Sequence, residues 1–169
     1  MSRRSKWNER YAAKALVWSA GPNALLEKEL GKSLEEVAGS RPRTAFDAAC
    51  GEGRNALWLA EQGWQVTAAD FSDVGIDKGR RTAEHRGLVL NWLVADLARD
   101  TLPDQQYDLV TVLYLHTDSS ERARWLPRLI DRVAPGGTFF YLGHDPANVD
   151  EGVGGPQDPD LLPSADEIV

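Results

Sequence analysis

Phe46-Asp47-Ala48-Ala49-Cys50-Gly51-Glu52-Gly53-Arg54-Asn55-Ala56 passes from a short apolar run, through two glycines, into a helical pattern. Glycine takes positive φ and lets a ligand approach the backbone, and the start of the following helix offers free N–H groups. The spacing Gly51-x-Gly53-x-x-Ala56 also satisfies a dinucleotide-binding fingerprint, and a turn without a ligand satisfies it equally well. The elements on either side give it context. The apolar run Thr44 to Ala49 predicts a strand, and Asn55 to Gln62 predicts a helix stopped at Gly63. The same alternation continues with strands at Trp64 to Ala69, Val89 to Ala95, Tyr107 to Tyr114 and Thr138 to Gly143. Helices fall between them at Asp73 to Arg86 and Ser119 to Val133, and Pro135-Gly136-Gly137 predicts a tight turn before the fifth strand. Short apolar strands alternating with helices imply a mainly parallel sheet covered on both faces, a doubly wound α/β fold.

In such a fold a ligand sits outside the carboxyl ends of the strands. Here those ends carry Cys50-Gly51, Asp70, Asp96, Leu115-His116 and His144. Asp70 follows the glycines by about 20 residues, where a carboxylate accepts from a ribose diol. Asp96 ends the third strand, where a carboxylate accepts from an adenine amine. Asp47 lies inside the first strand, a costly place for a charge unless it is satisfied. It would orient loop amides or hold a cationic amine, and a carboxylate there disfavours a pyrophosphate. Each aspartate alone also fits a helix cap or a solvated strand end.

The segments Asp47 to Asn55, Val66-Thr67-Ala68-Ala69-Asp70-Phe71-Ser72, Asp96, Tyr107 to Val112 and Ala134-Pro135-Gly136-Gly137 resemble class I S-adenosylmethionine-dependent methyltransferases in order and spacing. The likeness spans residues 44–144. Trp7-Asn8-Glu9-Arg10-Tyr11 and Trp18 to Asn23 are similar to the tellurite-resistance and thiopurine methyltransferase-like branch. The resemblance implies a Rossmann-like sheet of order 3-2-1-4-5. It implies that Asp47, Cys50, Gly51 and Gly53 surround the methionine moiety and that Asp70 takes the ribose hydroxyls. Phe71 then lies against the adenine with Ser72 nearby, Asp96 and Leu97 read the adenine edge, and Leu113 lines the methionine side. Tyr11 and Trp18 would reach the cofactor from an N-terminal helical lid, their alternative being packing of that helix on the sheet. Methyl transfer is an in-line displacement that needs a general base only if the acceptor must lose a proton. His116 and His144 are the acceptor-facing candidates, each equally readable as a hydrogen-bonded loop histidine. Arg54 would pair with an anionic acceptor, with Glu52 or with solvent, and Cys50 reads as a small packing residue. The histidines have aspartates nearby but no metal-ligand spacing.

The remainder of the 169 residues agrees with that reading. The chain is 42% hydrophobic and 27% charged, as expected of a globular domain with a core. Its net charge of −7 disfavours a general nucleic-acid binder and favours a small-molecule acceptor. One cysteine permits no internal disulfide and fits the cytoplasm. No apolar run approaches the roughly 20 residues of a membrane span. The expected organisation is a helical lid over 1–40, a cofactor-binding core over 41–145, and a Gly- and Pro-rich loop or shortened segment over 146–169. The last two strands of the family fold are not expected in this length. The open fifth-strand edge would then favour a homodimer. Two alternatives remain, an NAD(P)-dependent oxidoreductase and an adenosyl-cofactor-binding protein without activity. Asp47 and the absence of a Tyr-x-x-x-Lys motif weigh against the oxidoreductase.

Overall fold

A computed structural model describes residues 2–36 and 42–168. The centre of the sheet is β1 (Thr44–Ala48), whose Ala45, Phe46, Asp47 and Ala48 are all buried. Its parallel neighbours are β2 (Gln65–Asp70) and β4 (Tyr107–Leu113). β3 (Asn91–Val94) pairs with β2, and β5 (Val133–Leu142) pairs with β4, so all four pairings are parallel and the order is 3-2-1-4-5. A sheet covered on both faces needs strands apolar throughout. β1 departs from that at Asp47, and its register partner on β4 is Thr111, whose hydroxyl donates to Asp47 Oδ1 at 2.8 Å.

The crossovers are α3 (Arg54–Glu61), α4 (Asp73–His85) and α5 (Ser119–Ile130). Ser72 caps α4 by accepting from Gly75 N–H, and Asp118 caps α5 by accepting from Glu121 N–H. Pro127 lies inside α5, and the helix ends at Ile130, three residues short of the expected Val133. The strand after it starts earlier than the glycines suggest. Val133 already pairs with Tyr107, and the Pro135-Gly136-Gly137 segment is an irregularity inside β5, between the pairs Tyr107–Val133 and Leu109–Thr138.

The N-terminal segment differs most from expectation. α1 (Arg3–Ala12) ends before Trp18, which lies in an irregular stretch. α2 (Ala24–Glu36) follows, with Leu26 and Leu30 in the core. The boundary expected at residue 40 lies outside the described residues. After β5 come a single turn α6 (Asn148–Glu151) and two 3₁₀ turns, Pro159–Leu161 and Ala165–Glu167. No helix among the described residues is long and apolar enough to cross a membrane.

Candidate active site

The ends of β1, β2 and β4 open into one cleft, covered by α1 and the stretch after it. Tyr11, Trp18, Cys50, Gly51, Asp70, Phe71, Leu113 and His116 all line it. Gly51 and Gly53 adopt φ of 59° and 78°, so the loop turns in the left-handed region that favours glycine. Only two non-glycine residues with positive φ occur among the described residues, Ala49 at 57° and Tyr114 at 55°. They follow the two central strands, and both line the cleft. Such backbone strain concentrates at functional sites.

Asp70 organises the loop. Its Oδ2 accepts from Gly51 N–H at 2.9 Å and its Oδ1 from Ser72 N–H at 2.8 Å. Burial pushes its pKa up, and the two amides pull it back. Each carboxylate oxygen keeps a second lone pair for a ligand hydroxyl. Cys50 is buried, and burial with the charges of Asp70 and Asp47 raises its thiol pKa well above the usual range, so it is an inert packing group.

The N-terminal segment is pinned by an ion pair between part-buried Lys78 and buried Glu52. Lys78 Nζ on α4 donates to Glu52 Oε1 at 2.5 Å, to the Tyr11 carbonyl at 2.9 Å and to the Lys14 carbonyl at 2.7 Å. The other Glu52 oxygen accepts from Val17 N–H at 2.9 Å. The Tyr11 ring is thereby pressed on the loop, and a Cβ on Gly51 would stand 2.5 Å from its hydroxyl. Burial, then the Asp70 charge, pushes the Tyr11 phenol far above its ordinary value, so it stays protonated and remains a donor.

Other expected residues lie elsewhere. Asp47 and Gly53 are not in the cleft wall. Asp47 is fully buried, its Oδ2 has no hydrogen-bond partner, and burial raises its pKa to about 7. Gly53 packs instead on Trp92, with its would-be Cβ 2.5 Å from the ring. Ser72 is consumed by its capping bond and by donating to Asn8 Oδ1 at 2.6 Å. Asp96 and Leu97 line an adjoining recess together with Phe71. Asp96 Oδ1 accepts from Ala98 N–H at 3.0 Å. His144 stands behind His116, its Nδ1 3.0 Å from His116 Nε2. Arg54 does line the cleft, and it reaches Ser19 Oγ at 2.9 Å. Among the described residues no three His, Cys, Asp or Glu side chains gather as a metal site.

Arg3 is the site residue that sequence reasoning missed. It lies in the recess over the Phe71 ring, 5.3 Å from its centroid, and forks onto Glu121 with two bonds of 2.6 Å. One arginine in a basic N-terminus carries no signal of this, because the contact spans 118 positions.

With this geometry in view, comparison with known proteins is decisive at the family level. Residues 45–137, more than half of the chain, match the methyltransferase domain. The chain belongs to that family. It is 35% identical over 107 residues to a demethylmenaquinone methyltransferase of Thermus thermophilus, covering 62% of this chain and 49% of that protein. It is 29% identical over 158 residues to a 2-heptyl-1-hydroxyquinolin-4(1H)-one methyltransferase of Mycobacteroides abscessus, covering 90% of this chain and 66% of that one. The chain spans about half the length of the first curated relatives it matches. A solved structure concerned with conversion of a disulfide into a thioacetal during echinomycin biosynthesis superposes with a TM-score of 0.76 at 23% identity. That match covers 99% of this chain and 76% of the other and establishes the fold.

Proposed function

We propose that this methyltransferase domain binds S-adenosylmethionine in the cleft and methylates a small-molecule acceptor. The observation that carries the reading is the convergence, in one lidded cleft, of Asp70, the Gly51 loop, Phe71 and the Tyr11 hydroxyl. The donor set suits that ligand. Asp70 has lone pairs free for ribose hydroxyls. Phe71 and Leu97 offer apolar faces to adenine, and Asp96 offers a carboxylate to its amine. The Tyr11 hydroxyl, held protonated, suits a ligand carboxylate. The unpartnered Asp47 Oδ2 is the nearby buried group with unmet demand for a cation or donor, and a water would bridge it to an ammonium. A pyrophosphate suits the same loop poorly, since Gly51 N–H is already given to Asp70.

The cofactor supplies a methyl group on a sulfonium. The protein holds and orients both partners under the lid and excludes water. Alignment alone supplies up to about 7–11 kcal/mol of barrier reduction. His116, on the far wall of the cleft, faces the acceptor.

In this reading residues 1–40 act as lid, 41–145 as core and 146–169 as cover on the acceptor side. The domain works in the cytoplasm, where Cys50 stays reduced. β5, at the sheet edge, offers the surface for a homodimer. Binding of S-adenosylhomocysteine, measured by calorimetry, tests the reading: micromolar or tighter affinity supports it, and no binding removes it.

A further inference from the structure

His116 and His144 follow β4 and β5, neighbouring parallel strands, and this adjacency brings them together across 28 positions of sequence. His116 Nε2 lies 3.0 Å from His144 Nδ1, with the ring centroids 5.1 Å apart. A bond between two imidazoles requires one N–H and one bare nitrogen, so at least one ring at this contact is neutral. His116 lines the cleft and His144 does not. The remaining His116 nitrogen, Nδ1, has no hydrogen bond among the described residues. Beside them Tyr114, at its left-handed φ of 55°, sets its ring 5.1 Å from His144 and 6.2 Å from His116. Gly155 of the C-terminal segment closes over His144, where a Cβ would come within 3.0 Å of Nε2.

Resting on the methyltransferase reading above, we propose that the two histidines form a proton relay and that the acceptor is therefore an aromatic hydroxyl compound. His116 is the catalytic base and His144 the positioning residue behind it. The acceptor O–H proton goes to His116 Nδ1 while His116 Nε2–H passes to His144 Nδ1. The oxygen pair forms the O–CH3 bond, the C–S bond breaks, and its pair stays on sulfur as a neutral thioether. His116 ends neutral with its tautomer reversed, and the positive charge rests on His144 until solvent takes the proton.

The relay answers a difficulty at this position. Burial, together with the neighbouring His144 charge, lowers the His116 pKa to about 4, so His116 alone is a poor holder of a proton at neutral pH. A base that hands the charge on need not hold it. The charged groups around the pair do not substitute for this. On the loop side Arg3 is forked onto Glu121, Arg54 bonds Ser19, and Asp70 holds loop amides. On the α5 side the Asp118 carboxylate is used as a helix cap. The acceptor class follows from acidity and surroundings. A thiol ionises readily enough near neutral pH without help, whereas a phenol with pKa near 10 needs its proton removed in or before the transfer step. Tyr114 and Leu115, which line the cleft beside His116, give it an aromatic and an apolar wall that suit a ring.

The test uses the whole chain with radiolabelled S-adenosylmethionine and ring-substituted phenols whose acidities span neutral pH. The relay predicts that His144→Gln slows methylation of weakly acidic phenols at least tenfold and leaves phenols already ionised at the assay pH within twofold. Equal slowing of both overturns it. Failure to methylate any phenol, with S-adenosylhomocysteine still bound, overturns the acceptor class; failure of S-adenosylhomocysteine to bind removes the underlying function instead. Ring NMR of the unsubstituted protein needs no variant. One N–H proton should couple to both His116 Nε2 and His144 Nδ1 across their 3.0 Å contact. Absence of any hydrogen bond between the two rings would overturn the relay.

Discussion

Lys78 Nζ stands 2.5 Å from Glu52 Oε1 and uses its other two protons on carbonyls of the N-terminal segment. One ammonium thus ties the glycine loop, α4 and the N-terminal segment together. Glu52 is buried and Lys78 nearly so, so removal of the cation leaves a carboxylate short of a partner. Lys78→Met should cost about 1.5–3 kcal/mol in urea unfolding, the range for hydrogen bonds to charged groups. It should also speed amide exchange over residues 11–18 more than over β1. Equal exchange in the two proteins would show that this segment is held by its aromatic packing alone.

Trp92 is wedged between Gly53 of the loop and Gly79 of α4, each with a would-be Cβ 2.5 Å from the indole. At Gly79 that Cβ would also meet the Glu52 carbonyl at 2.9 Å, a backbone atom that cannot swing away. Gly79→Ala should therefore lower stability by about 1–3 kcal/mol despite the better helix former. Gly31 in α2 has open space around it, and Gly31→Ala should raise stability by roughly 0.5–1 kcal/mol. Thermal or urea denaturation of the two variants checks the contrast. A stable Gly79→Ala protein would mean that the indole repacks freely.

Asp47 gives the fold an unusual pH dependence. Folded, it keeps its proton up to about pH 7; unfolded, it releases it near 3.8. Between those values the folded state binds more protons, so this group's contribution to stability falls as pH rises from about 4 to about 7. This is opposite to the usual paired carboxylate. Asp47→Asn should flatten that part of the stability curve while an acceptor oxygen remains for Thr111. Urea midpoints at a series of pH values supply the measurement. An unchanged slope in the variant would mean that Asp47 ionises normally in the fold.

The strand–glycine–helix unit at residues 44–61 is legible because local chemistry forces it. Apolar residues make a buried strand, glycines take positive φ, and α3 is helical from its own residues. Asp70, Phe71 and His116 are likewise legible as cleft residues, because topology alone puts them at strand ends. Long-range contacts are not legible in this way. Nothing local tells that Lys78 serves Glu52, that Arg3 lies over Phe71, or that His116 meets His144. Pro135-Gly136-Gly137 shows the opposite error, since strong turn residues sit inside β5 where pairing with β4 on both sides outweighs their preference. Ser72 and Gly53 belong to the sequence pattern of a cofactor site, yet their contacts here are a helix cap and an indole.

Calorimetric titration of the whole chain with S-adenosylhomocysteine and with NADH tests the central claim most directly. S-adenosylhomocysteine should bind one-to-one, weakened roughly tenfold to a hundredfold by Asp70→Asn in a protein whose circular dichroism is unchanged, and NADH should not bind. Binding of NADH without S-adenosylhomocysteine, or an Asp70→Asn protein of unaltered affinity, would contradict it.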